Sequence, residues 1–188
     1  MAQTVANVTA GTPKVSGAVS VAPYGTALPT DATSQLDTAF KSLGFISEDG
    51  LTNTNSPETE TKKAWGGATV YVAQTSKDDE FSFTLIEALN AEVLKAVYGE
   101  DNVTGDVSTG IHVKATTEQL PSMSYVIDIV LRDNTLKRIV ISRANITEIG
   151  EVSYTDDELV GYEMTLSALP DDNGVTHEEY ITSAPSGE

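Results

Sequence analysis

The 188-residue chain contains no cysteine, which excludes disulfides, thiolate nucleophiles and cysteine-ligated zinc. Basic residues are scarce as well, with 11 Lys and Arg against 28 Asp and Glu, and the net charge is −17. Because nucleic acids and anionic membranes attract clustered basic side chains, this balance argues against direct binding to either. An ordinary soluble acidic protein fits the charge, and so does a surface that repels polyanions.

Long apolar runs are also missing. No segment approaches the ~18 consecutive apolar residues of a membrane-spanning helix. The first residues, MAQTVANVTAGTPK, have neither the basic start nor the apolar core of a secretory signal peptide. We therefore expect neither a membrane-spanning segment nor a secretory signal.

Motifs for catalysis or cofactor binding are absent. His112 and His177 lie far apart and outside any metal-ligand spacing, and the acidic turns at 101–106 and 171–174 lack the spacing of calcium loops. The glycine pair after Trp65 matches no nucleotide-binding motif, and no G-x-S-x-G elbow occurs. The sequence predicts no catalytic residue, no metal site and no cofactor, and Trp65 is more typical of a core or interface anchor than of a ligand-stacking aromatic.

The clearest local pattern lies within residues 64–99. Apolar residues recur there at every fourth position: Leu85, Leu89, Val93 and Val97. Thr84 and Glu87 have the spacing of a capping box, and Gly99 is a typical helix stop. The pattern predicts one helix at about 85–98, which must pack on a sheet because a short helix is not stable alone.

The remaining regular pattern is that of strands. Alternating or β-branched apolar residues predict strands at 15–22, 40–46, 70–73, 81–84, 111–116, 125–131, 137–142, 146–153, 159–169 and 175–182. Polar residues 75–80 read as a hairpin loop between two of them. Eight to ten strands with one helix predict a mainly β single domain over 1–188, an antiparallel β-sandwich or barrel with one flanking helix.

Three segments are predicted to extend from this domain. Residues 1–14 are small and polar and are interpreted as an N-terminal arm, and residues 171–188 as a C-terminal arm. Residues 48–63, EDGLTNTNSPETETKK, form a long polar stretch. Structureless loops of this length are usually functional or disordered, so we interpret it as a projecting loop.

Three groups of residues resemble the major tail tube protein of long, non-contractile-tailed bacteriophages. They are LGFISEDGLT at 43–52; AWGG at 64–67 with FSFTLIE at 81–87 and VYG at 97–99; and RIVISRA at 138–144 with ITEIG at 146–150 and LVGY at 159–162. Ser142 stands where the family pattern has proline. The resemblance extends over about 43–169, which is most of the chain.

The resemblance implies a β-sandwich flanked by one helix, with a hairpin extension. It implies hexameric rings that stack into a hollow tube in the virion tail, assembled in the host cytoplasm, with tape measure, tail tip and terminator proteins as partners. The family makes ring-to-ring contacts through its arms and long loop, which here gives the candidates Glu48, Asp49, Leu51, Pro57, Lys62 and Lys63.

DNA must pass through such a tube without specific binding, so acidic side chains are expected to face the lumen. Asp78, Asp79 and Glu80 are the candidates, and carboxylates in water repel phosphates over roughly 8 Å. Two alternatives remain open at this point. One is a monomeric β-sandwich that binds carbohydrate or a host surface through Trp65 and loop tyrosines, and the other is a capsid decoration or head–tail joining protein.

Overall fold

The computed structural model of the chain describes residues 5–14 and 17–183. These residues form one α-helix, α1 (Ala91–Tyr98), and eleven strands: β1 (Thr12–Pro13), β2 (Val19–Pro23), β3 (Lys41–Ser42), β4 (Ile46–Lys63), β5 (Thr69–Leu85), β6 (Val103–Thr104), β7 (His112–Val113), β8 (Met123–Val130), β9 (Thr135–Ile149), β10 (Tyr162–Ala168) and β11 (Glu178–Ser183). Short 3-10 turns lie at Val5–Asn7, Glu100–Asn102 and Arg132–Asn134. The prediction of a mainly β fold with one helix is confirmed.

The long strand β9 connects the two parts of the main sheet. The strand order is β3-β2-β8-β9-β10-β5-β4, and every pairing is antiparallel. One edge of β9 pairs with β8, whereas its other edge is shared by β11 near its start and β10 near its end. Register shifts interrupt the ladders on both sides of β9, and such bulges bend a sheet. The arrangement is that of an antiparallel sandwich.

Alternate side chains from both parts of the sheet enter one hydrophobic core. On β5 and β10 these residues are Phe81, Phe83, Leu85, Tyr162, Met164 and Leu166, and on β8 and β9 they are Tyr125, Ile127, Ile139 and Ile141. The helix α1 adds Val93, Leu94 and Val97. Because the helix buries three apolar residues against this cluster, its stability depends on the sheet.

The helix begins later than the sequence predicts. Its N-cap is Asn90, whose side-chain oxygen accepts a hydrogen bond from the Glu92 N–H at 3.0 Å. The predicted start at Leu85 and the capping box at Thr84 were wrong, because this stretch completes β5 and pairs with β10. Long-range pairing overrides the local helical period here. The predicted stop at Gly99 is confirmed, with φ of 100° and an N–H that donates to the Lys95 carbonyl at 2.8 Å.

The two polar segments predicted as loops are strands. Residues 75–80 lie within the continuous strand β5, and residues 48–63 lie within β4, which pairs with β5 along its length. The sequence carries a strand signal that the polar composition obscures, because β-branched threonines alternate through β4: Thr52, Thr54, Thr59 and Thr61. Similarly, the strands predicted at 137–142 and 146–153 are joined as β9, which ends at Ile149.

Parts of both predicted arms pair with the sheet. Thr12–Pro13 pairs with β8, and Glu178–Ser183 pairs with β9. The rest of the predicted N-terminal and C-terminal arms includes residues 1–4 and 184–188, which lie outside the described residues. The predicted strand at 15–22 is observed from Val19, and its first two residues are likewise outside the description.

A buried arginine joins the face of β9 that points away from this core to a loop. The Arg138 side chain is 2% exposed, and its Nε and Nη2 donate to the Asp128 carboxylate at 2.7 and 3.1 Å. Its Nη1 donates to the backbone carbonyls of Asp31 and Ser34 at 3.1 and 2.8 Å. The guanidinium thereby fastens the segment around 31–34 over the sheet.

We expect Arg138→Leu to destabilise the fold by about 3–5 kcal/mol, because it leaves the Asp128 carboxylate without its main partner in a largely buried place. The control is Lys137→Leu on the same strand, whose ion pair with Glu179 is partly exposed and is worth about 1 kcal/mol or less. Urea unfolding followed by circular dichroism measures both. Equal losses would contradict the assigned role of Arg138.

Candidate functional site

A β-hairpin projects from the body of the protein. Strand β10 pairs with β5 only over 80–85, and beyond that point β4 and β5 pair with each other. We define the arm as residues 57–77, which contain the ends of both strands and their turn. The nine β5 residues of the arm extend over about 30 Å at ~3.3 Å per residue.

The tip of the arm is a glycine turn that carries an exposed aromatic. Gly66 and Gly67 have φ of 101° and 90°, a region that residues with a Cβ rarely adopt. The turn is closed by the Ala64 N–H, which donates to the Ala68 carbonyl at 2.8 Å. The Trp65 side chain is fully exposed, and Val70, Tyr71 and Val72 beside it are exposed too. Trp65 is therefore not a core anchor of its own chain.

The root of the arm is held by a buried carboxylate, Asp79, which is 2% exposed. Its Oδ1 accepts a hydrogen bond from Asn53 Nδ2 at 2.8 Å. Its Oδ2 accepts from Thr176 Oγ1 and from His177 Nδ1, each at 2.5 Å. Because a carboxylate accepts, the His177 proton on this bond lies on Nδ1. The network joins β4, β5 and the segment before β11.

The surroundings of Asp79 favour its charged form. Burial by itself raises the pKa of Asp79, but the hydrogen bonds from Thr176, Asn53 and His177 outweigh it, so the pKa is lowered from 3.8. The carboxylate is thus an internal anchor, which differs from the exposed lumen residue that the sequence suggested. A signal for this exists in the sequence, since position 79 continues the inward alternation of Phe81 and Phe83.

The other two predicted acidic residues lie on a polar sheet face. On β4, β5, β10 and the end of β9, the side opposite the core carries cross-strand pairs such as Thr84–Glu163, Ser82–Thr165 and Thr54–Glu80. We define this polar face by its members: Thr52, Thr54, Ser56, Asp78, Glu80, Ser82, Thr84, Asn145, Glu148, Glu163, Thr165 and Ser167. It bears hydroxyls, one amide and four carboxylates, and none of these residues is basic.

Hydrogen bonding across the polar face is sparse but specific. Ser82 Oγ and Thr165 Oγ1 are 3.1 Å apart, and Thr147 Oγ1 donates to the Thr165 carbonyl at 3.3 Å. Side chains this short leave the surface flat and hydrated, and the carboxylates give it one sign of charge. The arrangement is suited to passing a polyanion and unsuited to holding one.

The six residues predicted for ring contacts are spread along β4. Glu48 and Asp49 are exposed, beside a register shift between Ile46 and Leu51. Leu51 is half-buried and packs against the core of its own chain. Further along, three exposed residues belong to the arm: Pro57, Lys62 and Lys63. Lys62 Nζ forms an ion pair with Glu60 Oε1 at 2.6 Å.

The sequence alone did not predict the donors around Asp79, which are Asn53, Thr176 and His177. Thr176 and His177 lie 97 and 98 positions from Asp79 in sequence, so no local spacing could reveal them. Among the described residues, no group of three or more His, Cys, Asp or Glu side chains is arranged to hold a metal ion. The described part of the chain also has no helix long and apolar enough to cross a membrane.

The chain was compared with known proteins. A family model described as phage tail tube protein matches residues 2–187. No curated protein sequence matches the chain.

We expect Asp79→Asn to destabilise the protein by at least about 2 kcal/mol at neutral pH, because bonds to a charged acceptor contribute about 1.5–3 kcal/mol each. Since the pKa of Asp79 in the folded protein lies below 3.8, this contribution persists above that pH and is lost as the pH falls through the folded value. Urea unfolding of both proteins over a pH series measures it.

The matched control is Asp78→Asn, the exposed neighbour on the opposite face, for which we expect a change within about 0.5 kcal/mol. A difference between wild type and Asp79→Asn that stays constant down to the lowest pH would contradict the role of the charge.

Proposed function

Because the chain belongs to the phage tail tube protein family, we propose that its copies form hexameric rings that stack into a hollow tube for passage of DNA into the host. The family makes the chain a structural component of the virion tail. The ring size, assembly in the host cytoplasm, and contacts with tape measure, tail tip and terminator proteins are parts of the proposal.

The polar face is the observation that carries this proposal, as the wall of the lumen. DNA presents a dense row of phosphates, and any basic side chain along its path would hold it by releasing counterions. The polar face offers carboxylates and hydroxyls from four neighbouring strand segments. Arg143 stands at its border, where its Nε donates to Ser122 Oγ at 3.3 Å. Asp78 and Glu80 keep their proposed place in the lumen lining, and Glu148 and Glu163 join them.

Two exposed strand edges, one on each side of the polar face, are candidates for the contacts that close a ring. Strand β4 ends the sheet on one side, and on the other side β8 pairs with β9 only as far as Ala144. Residues 145–149 of β9 therefore keep a free edge toward β8 within the described chain. Exposed strand edges favour pairing with another chain, so we propose that β4 of one copy approaches this edge of the next.

The arm supplies contacts between rings. The hairpin is about 30 Å long and carries exposed apolar side chains. Burying these side chains against a neighbouring subunit would stabilise the assembly. Pro57, Lys62 and Lys63 are proposed to make such contacts, with Glu48 and Asp49 nearer the body. Leu51 is proposed to support β4 from within, because it packs on its own core.

An arm deletion tests the assembly. We expect a chain in which residues 57–77 are replaced by Asn-Gly, joining the paired residues Ser56 and Asp78, to fold as a monomer, since two-residue Asn-Gly turns close antiparallel pairs. The free energy of unfolding should change by less than about 1 kcal/mol. Rings and tubes should be missing from negative-stain images and from size-exclusion profiles. Tubes formed by the shortened chain would contradict the role of the arm.

Charge reversal on the polar face tests the lumen. We expect Asp78→Lys, Glu80→Lys and Glu163→Lys combined to leave tubes intact but to slow DNA ejection several-fold, with a defect that shrinks as salt is raised because screening shortens to about 3 Å at 1 M. Ejection from complemented phage particles is followed with a DNA dye. The control reverses three exposed acidic residues elsewhere: Glu118, Asp156 and Asp172. Equal ejection in both triple variants would remove the electrostatic argument.

A further inference from the structure

The distal arm differs in charge from the rest of the chain. Its residues 61–72, which extend from the pair Thr61–Val72 to the tip, hold two of the 11 basic residues and none of the 28 acidic ones, so they carry +2 while the other residues together carry −19. The two lysines, Lys62 and Lys63, directly precede the tip, and Lys62 is paired with Glu60 of the same strand. A surface that is complementary to the arm is therefore available on the body of an identical chain, whereas two arms repel each other.

The tip also carries exposed apolar side chains. Trp65 stands fully exposed on a turn that two glycines and the Ala64–Ala68 hydrogen bond define. Exposed aromatics of this kind are typical anchors of protein interfaces, where a Trp fills a pocket on the partner. Within the described residues, β5 before Glu80 pairs only with β4, so no third strand lies beside the tip.

A groove on the body offers an apolar seat for this tip. It has a volume of about 620 Å3 and lies between α1, the start of the turn after β2, and the segment that leads into β8. Apolar side chains line it, among them Tyr24, Leu120, Pro121 and Met123. Two carboxylates and two lysines, Glu92, Glu100, Lys41 and Lys95, also line it. Lys95 holds both carboxylates at 3.0 Å, so the apolar side chains are the part of the groove that suits an aromatic.

We propose that the arm docks on a second copy of this chain with Trp65 seated among the apolar side chains of the groove beside α1. This inference rests on the proposed function, which requires copies to assemble. It adds the binding site of the arm and the residue that occupies this site. The apolar tip and the apolar side chains of the groove determine where the arm binds. Because the distal arm and the rest of the chain carry opposite net charges, another copy of this chain is the favoured partner.

Trp65 is the only tryptophan of the chain, so its fluorescence reports the tip directly. As the purified chain is concentrated until it assembles, we expect the emission to shift to shorter wavelength and iodide quenching to be lost. Trp65→Ala should weaken assembly by about 30-fold or more, as for a central interface anchor. Trp65→Phe should restore most of the assembly, and neither variant should change the melting temperature of the monomer, because the Trp65 side chain is fully exposed in its own chain.

The absence of cysteine permits a test of the seat itself. Chains with Ala64→Cys at the tip are mixed with tagged chains with Ala39→Cys in the groove and are oxidised after assembly. We expect disulfide-linked heterodimers on non-reducing gels. The control replaces the groove cysteine with Ala10→Cys, an exposed position beside the end of β8 opposite to Met123, and should give no heterodimer.

The outcomes separate the two proposals. Tubes in which Trp65 remains open to iodide, or in which the tip cysteine links to the control position or to another tip, would overturn the docking and leave the tail tube function standing. A chain that forms no rings or tubes under any condition of assembly would overturn the proposed function, and the docking with it.

Discussion

A buried charge needs hydrogen-bond donors or an opposite charge beside it. The buried carboxylate of Asp79 has this requirement at the root of the arm. An isolated ionised carboxylate in a protein interior costs several kcal/mol, so its position is tolerated only with donors in place. Asn53 comes from β4, and Thr176 and His177 from the segment before β11. The single carboxylate therefore fixes where β5 leaves the body, where β4 accompanies it, and where the last strand returns to β9.

Strand alternation gives neighbouring acidic residues different roles. Asp79 points inward and acts as a structural acceptor, while Asp78 and Glu80 on either side point to the polar face. Arg138 and Asp128 repeat the principle on β8 and β9, where a buried pair secures a loop. The exposed carboxylates of the polar face are the ones that can act on a passing polyanion, because charge in the interior is already neutralised.

The helix and the arm show how far local patterns reach. Apolar periodicity located α1 and its glycine stop, but it placed the helix start six residues early, at Leu85 instead of Ala91, because Leu85 satisfies both the helical period and the alternation of β5. Pairing with β10 decides between them. The polar strand residues of the arm were read as loops for a related reason: a two-stranded ribbon with both faces in water has little apolar alternation to read.

The sequence by itself determined the class of the protein: a cysteine-free, strongly acidic, mainly β chain with one helix, without recognisable catalytic or metal motifs, and with a family resemblance. It determined these because composition, alternation and turn residues are local properties. Only the tertiary structure decided that residues 48–63 are a strand, that Asp79 is buried while its neighbours are not, and that Trp65 is fully exposed. The strand depends on pairing with β5, and the burial of Asp79 on contacts with residues 97 and 98 positions away, which no local pattern encodes.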